Sequence, residues 1–74
     1  MNDIWLTRQE DLIDDWNGTH GTNEVPVRYW RMLREGPGET GMTRPFGAVL
    51  MGGTAVVYVY GAGAIALTHI EVQP

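Results

Sequence analysis

The first part of the chain alternates at helical spacing. Gln9, Leu12, Ile13 and Trp16 share one face, while Arg8, Asp11 and Asp15 fall on the other. Thr7-Arg8-Gln9-Glu10 reads as a capping box, in which the Thr hydroxyl and the Glu carboxylate satisfy amides of the first turn. Asn17-Gly18 supplies a stop, since both residues tolerate a left-handed conformation. The pattern predicts one short helix over about residues 8–16. Such a helix is marginal alone in water, so Leu12, Ile13 and Trp16 are expected to dock on the remainder of the chain.

Residues 17–24 show no periodicity and read as a linker. From Val25 onward the signals are those of strands. Residues 25–34 form a β-rich run that ends at Gly36-Pro37-Gly38, and residues 43–51 form a second, closed by the hairpin pair Gly52-Gly53. Residues 54–60 are almost wholly β-branched or aromatic, the clearest strand of the chain. Gly61-Ala62-Gly63 turns the chain into residues 64–67 and then 69–72. The expected fold class is mainly β (α+β): one domain, with a small antiparallel barrel over about residues 25–74 behind the helix and linker.

The order of these runs resembles an SH3-like barrel, with residues 36–42 in the place of its long first loop. Gly63-Ala-Ile-Ala-Leu-Thr-His-Ile-Glu-Val72 resembles the closing segment of SH3 domains, where a strand passes through one helical turn, here at residues 66–69, into a last strand. The acidic aromatic loop and the Trp-Trp pair with which those domains grip proline-rich peptides are absent. The resemblance therefore implies a fold and not that activity. A narrower likeness runs through Tyr29-Trp30, Arg34-Glu-Gly-Pro-Gly38, Thr43-Arg44, Leu50-Met-Gly-Gly53 and Ala64-Ile-Ala-Leu-Thr-His-Ile-Glu71. This string resembles small proteins of uncharacterised activity encoded by phages of actinobacteria, which implies a setting inside a bacterial host.

Composition narrows the chemistry. The 74 residues include no Cys, Lys or Ser, which excludes Ser and Cys nucleophiles, a Lys Schiff base, a cysteine zinc cluster, disulfides and a Walker loop. The net charge of −4 is uneven: residues 1–24 set six carboxylates against Arg8 (−5), and residues 25–74 set three against four arginines (+1). An acidic chain is a poor partner for nucleic acid and for anionic membranes. Apolar runs are interrupted by Gly well short of a membrane span, and the start of the chain lacks a basic, apolar leader, so a cytoplasmic location is expected.

Gly36-Pro-Gly38-Glu-Thr-Gly41 spells G-x-G-x-x-G, but Pro37 lies inside it and Thr43-Arg44-Pro45 stands where a helix should begin, so it reads as a loop without a cofactor. His20 and His69 lack the spacing of a metal site, and no metal is expected. Consecutive Asp14 and Asp15 do not face each other on a helix and read as a solvated face near its end, where carboxylates are unfavourable and a basic partner is hinted at. Asn17-Gly18-Thr19 matches a glycosylation sequon but reads as a turn.

The first strand run carries the functional expectation. Alternation places Val25, Val27, Tyr29, Arg31 and Leu33 inward, leaving Arg28, Trp30, Met32 and Arg34 outward. The same logic over residues 54–60 puts Ala55, Val57 and Val59 inside and Val56, Tyr58 and Tyr60 outside. Trp, Met and Arg are enriched at interface centres. Arg28, Trp30, Met32, Arg34, Tyr58 and Tyr60 are thus the candidate partner-binding residues of a small non-enzymatic interaction module, whose partner the phage likeness makes a bacterial host protein. Two other classes stay open: a self-assembling structural protein pairing through strand edges, and a single-stranded nucleic-acid binder that stacks bases on these aromatics.

Overall fold

In the computed structural model, which describes residues 4–74, helix α1 spans Ile4–His20, well beyond the stretch that the capping signals enclose. Residues 1–3, on which the reading of a leader partly rests, lie outside the described residues. Thr7 sits inside the helix and not at its start, and Asn17-Gly18-Thr19 is helical and not a turn. The helix stops at Gly21 instead, whose φ of 58° lets its N–H reach back to Asn17 O at 2.9 Å. Asn17 does not break the helix because its side chain is used elsewhere. Its Oδ1 accepts from Ala48 N at 2.8 Å and its Nδ2 donates to Ala48 O at 3.1 Å.

Six short strands follow: β1 Pro26–Tyr29, β2 Glu39–Met42, β3 Val49–Met51, β4 Thr54–Val59, β5 Gly63–Ala66 and β6 Ile70–Val72. A 3-10 turn over Leu67–His69 lies between the last two. They form two three-stranded antiparallel sheets, ordered β2-β1-β6 and β3-β4-β5. A bridge at Thr43↔Val59 joins the sheets, extended by Arg44 N to Tyr58 O at 2.7 Å and Tyr60 N to Met42 O at 2.9 Å. The fold is therefore a small α+β protein built mainly from strands. The hairpin at Gly52-Gly53, the strand from Thr54 and the helical turn before the last strand fall where the sequence pattern puts them.

The core lies between the sheets. Val27 and Tyr29 from β1, Val57 and Val59 from β4, Ile65 from β5 and Ile70 from β6 close over Trp16 of α1. Inward alternation holds for Val25, Val27 and Tyr29 and for Ala55, Val57 and Val59, while Val56, expected outside, is also buried. Its register partners explain this: Val49 and Ala66 flank it on either side.

Helix α1 is fastened by polar side chains as well as by Trp16. The β4–β5 ladder ends at Val56↔Ala66, because the chain leaves β5 for the 3-10 turn. The Ala55 N–H, aimed toward β5 by alternation, has no strand carbonyl to meet. Buried Gln9 supplies one, its Oε1 accepting from Ala55 N at 2.8 Å. Trp5 Nε1 donates to Gly53 O at 2.9 Å, so α1 is held near its first turn, its middle and its last.

Candidate functional site

Strand β1 is only four residues long, and the loop that follows it builds the site. Trp30 N donates to His69 O at 3.0 Å, the chain bends through residues 31–34, and β2 begins only at Glu39. The Trp30 bond continues the Tyr29↔Ile70 register by one pair, so Trp30 keeps the face of Arg28 and alternation stops applying only from residue 31, where the chain bends. Trp30, expected on the outer face, is only 9% exposed. Its indole turns under the loop, Nε1 donating to Gly36 O at 3.0 Å. Gly38 lies against the ring, where a Cβ would come within 2.8 Å of an indole carbon and of Tyr29 O, and its φ of 69° favours glycine besides. Segment 36–41, which spells a phosphate loop, is the return limb of this excursion and runs into β2, with no helix after it.

The arginines brace the same loop. Arg34 lies 4.9 Å over the Trp30 ring and pairs with Glu71 of β6. Arg28 Nη1 donates to Pro37 O at 2.5 Å. Arg31, expected inside, is exposed; its Nε meets Glu39 at 2.8 Å, and its guanidinium lies 5.7 Å from the Tyr29 ring. The bond to Glu39 and that carboxylate's charge raise the Arg31 pKa. At the tip Glu35 N donates to Leu33 O at 2.8 Å. What the braced loop presents is apolar: Met32 is 79% exposed and Leu33, expected inside, is 71% exposed.

Tyr58 and Tyr60 belong to a second cluster. Tyr58 is half-buried, with Phe46 edge-on to its ring at 6.2 Å between centroids. Tyr60, exposed as expected, carries Arg44 over its ring at 4.4 Å and donates its hydroxyl to Glu24 at 2.5 Å. That hydrogen bond, with partial burial and the Glu24 charge, raises the Tyr60 pKa against the opposing effect of Arg44. The structure therefore brings Arg28, Trp30, Met32 and Arg34 together around one loop and leaves the tyrosines apart from them. Leu33 is the residue that alternation missed; the Gly-Pro-Gly that follows it is the signal that the strand had already ended.

His20 lies against Trp16, with ring centroids 4.4 Å apart, and His69 lends its carbonyl to Trp30. Among the described residues no three His, Asp or Glu side chains gather as a metal site, and no helix is long and apolar enough to cross a membrane. Compared with models of protein families, with curated proteins and with solved structures, the chain finds no match, so the site is read from its own geometry.

Proposed function

We propose that this chain is a small non-enzymatic protein-interaction module that engages a partner protein through the tip of the 30–38 loop. The observation that carries the reading is the pair Met32 and Leu33, both more than two-thirds exposed on a loop whose limbs are tied down on each side. A braced loop does not have to order its backbone on binding, and the large apolar side chains it carries bury apolar area in an opposing pocket. Trp30 is the foundation of the loop in this reading, and Arg28 and Arg34 are its braces. Every arginine near the tip is already engaged, by a carboxylate, a carbonyl or a ring, which leaves little free positive charge for a phosphate backbone.

In the same reading the two sheets are the halves of an SH3-like barrel, and the long first loop lies at 30–38 and not at the expected 36–42, because Glu39–Met42 is strand β2. The bridge at Thr43↔Val59 and the 3-10 turn before β6 support this assignment. The partner is a protein of a bacterial host's cytoplasm, as the phage likeness implies. The test is capture from a bacterial lysate at low and high salt, run beside Met32→Asp/Leu33→Asp. Both side chains are exposed, so the variant should keep its melting temperature while losing a near-stoichiometric protein that the native chain retains at high salt. Equal retention by both chains overturns the assignment to this loop.

A further inference from the structure

Strand β3 is the rim of its sheet, with β4 on one side and no strand on the other. Its register is Val49↔Val56, Leu50↔Ala55 and Met51↔Thr54. A two-residue turn makes Met51 and Thr54 a hydrogen-bonded pair, so Val49 and Val56 form the next one and Leu50 aims its N–H and C=O outward. Neither group of Leu50 bonds to a described residue. Val49, Leu50 and Met51 are all exposed, and the strand has no charge and no proline, the usual devices that blunt an edge.

Two residues back the same rim is already filled. The Asn17 carboxamide presents to Ala48 an acceptor and a donor, the pair that a residue of a neighbouring strand would present. Leu50 is left open beside a groove between β3 and α1 that it lines together with Glu10, Asp11, Ile13 and Asp14. Helix α1 sets four carboxylates against Arg8, which is −3 of the chain's −4, and none of the four pairs with a described base.

We infer that β3 is a docking edge for an extended segment of a basic partner protein. The segment adds as a fourth strand, exchanges main-chain bonds with Leu50, and sets alternate Lys or Arg side chains against Glu10 and Asp14. Charge decides the occupant. A second copy paired about a two-fold axis at Leu50 would bring both α1 helices to the same side of the joined sheet, with Glu10 and Asp14 facing their own duplicates. The surface is separate from the 30–38 loop, so the inference stands or falls independently of that reading.

The test uses the full chain, amide resonances and two acetylated heptapeptides, one alternating Lys and Val and the other Glu and Val. The Lys peptide should shift and protect the Leu50 amide, with Val49 and Met51 following, and should bind more weakly as salt rises. Glu10→Gln/Asp14→Asn, on an exposed helix face, should keep the fold and weaken that binding by about five-fold, as two solvent-screened ion pairs would give. Leu50→Pro removes the amide and should abolish binding; the carboxamide variant keeps the test valid if proline unfolds the strand. An unmoved Leu50 amide, equal binding of the Glu peptide, or unchanged affinity in the carboxamide variant overturns the inference. So does a concentration-dependent doubling of mass that protects Leu50 without peptide, which would give the edge to a second copy.

Discussion

At the scale of single residues, Trp30 is where local pattern and structure part. Alternation from Val25 through Tyr29 is right residue by residue, and at Trp30 it gives the face but not the exposure, because the loop that follows folds over that face. Arg28, Met32, Arg34 and Tyr60 keep the surface character that their chemistry suggests, whereas Trp30 is folded beneath its loop and Tyr58 is half-buried. No periodicity encodes that cover, which comes from Gly36 accepting from the indole and Gly38 lying against its ring. Trp30→Ala should therefore destabilise the domain by about 3 kcal/mol or more, the usual cost of emptying a buried aromatic site. Trp30→Phe retains most of the packing and loses the bond to Gly36 O, an expected cost of about 1 kcal/mol. Urea titration of both variants checks this, and a Trp30→Ala chain as stable as the native one would return the ring to solvent.

At the scale of elements, the existence and type of α1 and of the strands after Thr54 were legible, and their limits were not. Gln9, Ile13 and Trp16 do form the packed face of the helix, while Leu12 is half-buried at its margin. Its end moves from Asn17 to Gly21 because the Asn17 side chain is recruited by Ala48, a contact that no local rule contains. Asp14 and Asp15 consequently lie inside the helix and not in its last turn, where His20 stands instead. The run from Thr43 to Met51 splits for a related reason: Thr43 is committed to the bridge with Val59, and its hydroxyl accepts from Val25 N at 2.8 Å, while β3 pairs with β4 only from Val49. Gln9 shows how such long-range bonds set stability. Gln9→Ala should leave the buried Ala55 amide without an acceptor and cost about 1–3 kcal/mol. Amide exchange would show the loss locally, as faster exchange at Ala55, and a stability equal to the native chain's would mean that water replaces the side chain at no cost.

Over the whole molecule, charge and chain crossing are arranged so that the two sheets meet through Tyr60. Its backbone belongs to the link between the sheets, through Tyr60 N to Met42 O, and its hydroxyl reaches Glu24 just ahead of β1. Arg44, from the crossover, lies over the same ring. The bond to Glu24 favours the neutral phenol, so the folded-state pKa of Tyr60 stands above the unfolded value of about 10. A group of this kind stabilises fully below its unfolded pKa. The contribution is lost as pH rises through the higher folded value, because ionisation removes the donated proton and sets a phenolate beside a carboxylate. As pH rises above about 10 the native chain should therefore lose melting temperature faster than Tyr60→Phe, whose ring keeps Arg44 but has no proton to lose. Ultraviolet titration of phenolate in the two chains supplies the direct reading. The step that the substitution removes should lie above the free tyrosine value, and a step at or below it would show that Arg44, not Glu24, governs the ring. The link then holds the sheets together at neutral pH and loosens in alkali, as the phenol ionises beside Glu24.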